Sequence, residues 1–199
     1  MDEIEIAFTL RPDPDETLGR YVLAFEGQAT AWDEDASEER PAGIIRGHRI
    51  DLVAALCDGV GQDELLDSLT PEVSEFAHAV LADSRCLLPA GEDMEATTCD
   101  CLIYVAELWV EPAFRGRGLG TTLLRRLGAT IDLERCLLAL KARPIREDPA
   151  RIASTDEIAR VKRFYERNGF DHAGGDFMFK DARHCEAMKK RLAGRRIAG

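Results

Sequence analysis

Cys101-Leu102-Ile103-Tyr104-Val105-Ala106-Glu107-Leu108-Trp109-Val110 carries a single charge, and it runs through Glu111-Pro112-Ala113-Phe114 into Arg115-Gly116-Arg117-Gly118-Leu119-Gly120-Thr121. A run that is apolar on both alternate faces belongs to a strand covered on both sides, so this segment predicts the central strand of a sheet. The glycines predict a tight turn, and Leu119, Leu123, Leu124 and Leu127 recur behind it at helical spacing. Strand, glycine-rich turn and helix form, in that order, a place for phosphate. Glycines let backbone N–H groups converge, and a helix start adds unsatisfied donors and partial positive charge. Arg115 and Arg117 add formal charge of the same sign.

Spacing narrows the kind of cradle. A Walker loop ends in Gly-Lys-Ser/Thr, whereas Gly120 is followed directly by Thr121. The dinucleotide fingerprint G-x-G-x-x-G needs its third glycine one residue later than Gly120, which follows Gly116 and Gly118.

Working outward, Ile4, Ile6, Phe8 and Leu10 alternate as a strand, and Tyr21–Phe25 reads as its returning partner. Trp32–Arg40 reads as an acidic loop, and Ala42–Ile50 as a third strand weakened by Gly43 and Gly47. From Asp51 to Asp83 the period turns helical, with Thr70 as N-cap and Pro71 in a first turn. Residues 89–98 read as a loop. Downstream, Cys136–Lys141 predicts a strand, and Ser154 with Glu157 a capping box. The capped helix should stop at Asn168-Gly169, where glycine takes the left-handed conformation, with Phe170 as the apolar contact past its end. Phe177–Phe179 reads as a short strand and Cys185–Arg195 as a basic helix.

The turn resembles the acetyl-CoA signature of the GNAT N-acetyltransferase superfamily, R/Q-x-x-G-x-G/A, filled here by Arg115, Gly118 and Gly120. Phe164-Tyr165-Glu166-Arg167-Asn168-Gly169-Phe170 is similar to that family's F/L-Y-x-x-x-G-F segment. The resemblance implies an α/β (α+β) fold: a GNAT-like, twisted, mostly antiparallel sheet of six to seven strands flanked by helices, with a helical block before the central strand. It implies one acetyltransferase domain over 1–199, with a helical insertion and loop at 51–98 and an acetyl-CoA-binding core at 101–179. Acetyl-CoA would be the co-substrate, and the acceptor a primary amine of a small molecule or peptide.

The resemblance also implies the site. The central strand would splay from its neighbour near Leu108, Trp109 and Val110, whose backbone would pair with the pantetheine arm. The N–H of Leu108 or Trp109 would face the thioester oxygen. Arg115, Gly116, Arg117, Gly118, Leu119, Gly120 and Thr121 would hold the pyrophosphate. Glu107, the one carboxylate in its strand, is the candidate base, since burial raises a carboxyl's pKa. It could instead bond backbone or bind the substrate's charge. Tyr165 is the candidate acid for the departing sulfur, or a core residue at helical spacing from Ile158 and Val161. Many members of the family it resembles place an asparagine after the strand corresponding to Cys136–Lys141. This chain has Ala142-Arg143-Pro144, and the substrate side is expected from Trp32–Arg40 and the helices of Asp51–Asp83.

Composition sets the outer limits. The 199 residues are 45% hydrophobic and 32% charged, as in globular proteins. Thirty-seven acidic residues against 26 basic ones give a net charge of −11, which argues against a nucleic-acid footprint and mildly for a cationic acceptor. No apolar run nears the roughly 18 residues of a membrane span, and the start is acidic where a leader is basic, so a soluble, cytoplasmic protein is expected. Of the six cysteines only Cys99 and Cys101 are close, on one strand face. Without zinc spacings they read as reduced structural thiols, and no metal is expected. A homodimer is expected from the family alone. Two rival readings stand beside the transferase: a non-catalytic acyl-CoA-binding regulatory module, and a nucleotide-binding α/β protein.

Overall fold

Which layer a strand residue reaches depends on its parity along the chain, and in this protein one inserted residue changes that parity midway. The computed structural model describes residues 4–33, 38–81, 100–133, 135–145 and 153–181. They form one seven-stranded sheet, β1 (Ile4–Pro12), β2 (Val22–Asp33), β3 (Glu38–Asp51), β4 (Cys101–Val110), β5 (Cys136–Lys141), β6 (Asp171–Gly174) and β7 (Phe177–Asp181). The spatial order is β1-β2-β3-β4-β5-β7-β6, and the β4–β5 pair is parallel in an otherwise antiparallel sheet.

Three six-residue helices, α1 (Leu52–Cys57), α2 (Gln62–Asp67) and α3 (Pro71–Phe76), cover one face with Leu52, Leu65, Leu66, Val73 and Phe76, against Leu102 and Tyr104 of β4. The other face carries α4 (Leu119–Thr130), whose Leu119, Leu123 and Leu127 pack with Ile103 and Val105, and Tyr165 of α5 (Thr155–Arg167). Gly120 and Gly128 each weaken α4 by about 1 kcal/mol. Three buried leucines at about 1.5–3 kcal/mol apiece outweigh them. Gly120 is there for space: a Cβ would lie 3.1 Å from the Phe164 ring.

Upstream of Ala106 the even residues of β4 face α1–α3 and the odd ones face α4. Downstream, Leu108 and Val110 pack on the α4 side. The cause is a bulge: Arg46 pairs with Glu107 but Gly47 with Val105, which leaves Ala106 opposite nothing. Glu107 and Trp109 are thereby turned to the face of the short helices. Gly47 makes this close approach possible, because a Cβ there would sit 2.0 Å from the Tyr104 carbonyl oxygen and 2.8 Å from the Phe25 ring.

Several expectations change. Trp32–Arg40 is not simply a loop, since β2 runs to Asp33 and β3 starts at Glu38, pairing Trp32 with Glu39. The side chains of Glu38, Glu39 and Arg40 are exposed, so the ladder continues beneath them. Gly43 and Gly47 do not end β3; they let β4 approach it. The polar Asp171–Gly174 forms β6, which no alternation announces. The Thr70 cap, the Ser154–Glu157 capping box and left-handed Gly169 stand where the sequence puts them. Cys99, the 89–98 loop and the 185–195 helix lie outside the described residues. Cys101 and Cys136 are buried and in register on β4 and β5. Among the described residues no helix is long and apolar enough to cross a membrane.

Gly47→Ala should destabilise the protein by about 2 kcal/mol or more, because the backbone oxygen it meets cannot swing aside. A denaturant midpoint within error of the parent would refute this account of the bulge.

Candidate active site

β4 and β5 are hydrogen-bonded neighbours only as far as Val105 and Leu140. Beyond that point β4 continues to Val110 beside β3, while β5 follows β7, with Lys141 opposite Phe177 and the Ala142 N–H donating to the Asp176 carbonyl at 2.7 Å. A wedge opens between the two parallel strands. The Glu111 N–H donates to the Ala42 carbonyl at 2.9 Å. The alternation of an antiparallel ladder puts Trp109 in phase with Glu111, so the N–H and C=O of Leu108 and Val110 point into the wedge. Arg115 uses one of these groups, its Nε donating to the Val110 carbonyl at 2.8 Å. Of the two amides named as oxyanion donors, Leu108 faces the wedge and Trp109 faces β3.

The glycine turn stands at the end of that wedge. Gly116 and Gly118 have φ of 77° and 84°, which favour glycine, and a Cβ on either would meet nothing within 4 Å. Gly118 is the N-cap of α4 and supplies no side-chain cap; the first helical bond runs from the Thr122 N–H to the Gly118 carbonyl at 3.0 Å. The amides of Leu119, Gly120 and Thr121 therefore precede the helical ladder. Arg117 lies over the Phe114 ring, 5.8 Å from its centroid.

Glu107 is a quarter exposed rather than buried, and its carboxylate accepts from Arg46 Nε across the β3–β4 pair. It lines a cleft of about 450 Å³ with Arg46, Pro41, Ile44, Trp109 and Ile145. The parity change at Ala106 puts it there, since unbroken alternation would aim it at α4. None of the cleft's described lining residues comes from Trp32–Arg40 or from α1–α3, the segments expected to build the acceptor side; they belong to β2, β3 and β4, with Ile145. A smaller cleft of about 260 Å³ adjoins at Arg46, lined also by Thr9, Arg11, Glu26, His48 and Ala106. Sequence reasoning missed Arg11 and Arg46; the register of β1–β3 relative to Glu107 is what reveals them.

Tyr165 is buried, with Phe164 at 5.0 Å and Phe170 at 5.5 Å between ring centroids. Burial pushes its pKa above the ordinary phenol value. The helix that carries it is fastened by Asp176, which accepts from Lys162 Nζ at 2.8 Å and Arg143 Nε at 2.7 Å. These donors, Lys162 first, hold the Asp176 carboxyl below its ordinary value. Ala142, at the position where the resemblance leads one to expect asparagine, is buried. Among the described residues no group of His, Cys, Asp and Glu is placed to hold a metal.

Residues 80–172, just under half of the chain, match the family model described as an acetyltransferase (GNAT) domain. No curated relative matches the chain. Among solved structures, the KacTA–DNA complex is 12% identical with a TM-score of 0.41, covering 94% of this chain and 99% of that one. An Arabidopsis thaliana NAA60 in complex with acetyl-CoA is 15% identical with a TM-score of 0.38, covering 88% and 96%. A protein from Desulfovibrio desulfuricans assigned to the GNAT family is 14% identical with a TM-score of 0.36, covering 88% and 95%. At these values none of the three supports a transfer of ligand or substrate.

A depressed carboxyl pKa stabilises the fold above the unfolded value of about 3.9 and loses that contribution as pH falls through the folded value. Asp176→Asn should therefore cost about 1 kcal/mol at neutral pH and nothing in strong acid. Thermal melts of both proteins down to about pH 2 should converge; a gap that persists unchanged would sink the assignment.

Proposed function

We propose, for a chain whose residues 80–172 match a GNAT acetyltransferase domain, that it is an acetyl-CoA-dependent N-acetyltransferase acting on a primary amine, working as one domain over 1–199. The observation that carries this reading is the wedge beside Leu108 and Val110, which ends at a helix start with no side-chain cap. Free strand groups suit an amide-bearing arm, and converging amides suit a diphosphate. Open space above Gly116 and Gly118 gives the backbone of 115–121 close access to such a group. When bound, acetyl-CoA supplies a thioester whose C–S bond breaks as the amide C–N bond forms, the electron pair leaving on sulfur.

The chain's own residues have three tasks in this reading. The Leu108 N–H donates to the carbonyl oxygen as negative charge develops on it. Glu107, on the open cleft face, accepts the proton of the incoming ammonium directly or through a water, and Arg46 fixes its carboxylate in place. Tyr165 keeps its proton at neutral pH because burial raises its pKa. An ordinary thiol, at about 8.5, is the stronger acid. The phenol's part is therefore a hydrogen bond to the developing thiolate rather than full transfer. The cysteine spacings, which read as reduced structural thiols, support a cytoplasmic setting, and the acidic net charge supports a reaction without nucleic acid.

One observation favours a second reading, a non-catalytic acyl-CoA-binding module: Tyr165 lies in an aromatic cluster, as a core residue would. Kinetics separate the two. Glu107→Gln and Tyr165→Phe should each lower kcat by ~10²-fold or more while acetyl-CoA affinity is retained. If a panel of amines yields no thiol release from acetyl-CoA in the parent protein, the module reading wins. Calorimetric titration should also show acetyl-CoA bound in preference to NAD or ATP, and Gly118→Val should weaken it about tenfold or more. Preference for either nucleotide would remove the transferase.

A further inference from the structure

The two clefts that meet at Arg46 differ in chemistry, and the difference bears on the acceptor. The register of β1, β2, β3 and β4 sets Thr9, Glu26, Arg46 and Glu107 in one row across the sheet, and Arg11, Ala24, His48 and Tyr104 in the next. The small side chains Ala24 and Ala106 leave room between the rows for the lesser cleft. Arg11 and Arg46 face it with one carboxylate, Glu26, which already accepts from Gln28 Nε2 at 2.6 Å. Arg46 gives its Nε to Glu107 and has further guanidinium donors. Arg11 has no ion-pair partner among the described residues. Burial, opposed by Asp13, keeps His48 below its ordinary pKa, so it adds no charge at neutral pH. In a protein of net charge −11, the recess beside the candidate base is thus lined by two guanidiniums and one carboxylate.

Building on the acetyltransferase reading, we propose that the acceptor is an α-amino acid with an apolar side chain, its carboxylate held by Arg46 and Arg11 and its ammonium by Glu107. The adjacent charges of Arg46 and Glu107 mirror the adjacent carboxylate and ammonium of such a molecule. The larger cleft, walled by Pro41, Ile44, Trp109 and Ile145, takes the apolar body. A guanidinium binds a carboxylate through paired donors, which fixes the orientation of the amine beside it. A polyamine would bring positive charge against Arg11, so the local field runs opposite to the preference that net charge alone suggests. A peptide N-terminus has the ammonium and lacks the adjacent carboxylate.

The test compares L-phenylalanine, L-phenylalaninamide and phenethylamine as acceptors for the parent, Arg11→Gln and Arg11→Lys. Phenylalanine should exceed phenylalaninamide in kcat/KM by about tenfold or more. Arg11→Gln should remove most of that ratio and Arg11→Lys should keep part of it. Arg11 is exposed and has no ion-pair partner among the described residues, so its variants should melt with the parent. Equal use of the amide, or a ratio untouched by Arg11→Gln, overturns the proposal while leaving the transferase intact. Calorimetry with phenylalanine in the presence of CoA separates the two claims. Binding that depends on Arg11 without acetyl transfer upholds the carboxylate subsite and overturns the transferase; absence of both binding and transfer overturns the subsite.

Discussion

A glycine hydrogen pressed against a carbonyl oxygen governs the geometry of this molecule. At Gly47 any side chain would collide with the Tyr104 backbone, and that approach lets β4 carry one more residue than β3 opposite it. The extra residue, Ala106, exchanges the layers reached by everything after it. Before it, Leu102 and Tyr104 seal the core beneath α1–α3, and Ile103 and Val105 seal the one beneath α4. After it, Leu108 and Val110 continue the α4 layer while Glu107 and Trp109 come out onto the open face. A carboxylate at position 107 meets the cleft and solvent because it is not buried under a helix.

The second constraint is the parting of β4 and β5. Parallel strands normally satisfy each other's backbone along their length, and unsatisfied groups in a sheet interior are costly. Here pairing stops at Val105, and Arg115 reaches back to satisfy the Val110 carbonyl. The arginine that begins the glycine turn is therefore a structural tie between the turn and the strand. Wedge, turn and helix start become one continuous surface, polar through its backbone more than through side chains.

The central strand, the glycine-led helix, β5 and both ends of α5 were legible in the sequence, because each rests on local chemistry: apolar runs, caps and a left-handed glycine. The extent of β2 and β3 was not, since Trp32, Asp33 and Glu38–Arg40 look like a loop when read alone and become strand only when paired. β6 is four residues without alternation and exists because β7 offers it an edge. For the site, Glu107 could be picked out as the sole carboxylate of its strand, but not its partner. That Arg46 stands beside it, with Arg11 nearby, depends on a register set across strands far apart in sequence. The expected burial of Glu107 failed for the same reason, because unbroken alternation is the wrong rule for a bulged strand.

The bulge also divides β4 into two tracts with separate tolerances for change. Residues 101–105 form part of a close-packed interior, where volume matters and polarity is excluded. After the bulge, Glu107 and Trp109 belong to a surface, where what a side chain can donate or accept outweighs its size. Loss of one residue near position 106 would be no minor trimming: it would drive a carboxylate under α4 and expose two aliphatic groups. Length variation in this strand is thus far more hazardous than substitution, and drift within a lineage would be expected to alter letters here and leave the count alone.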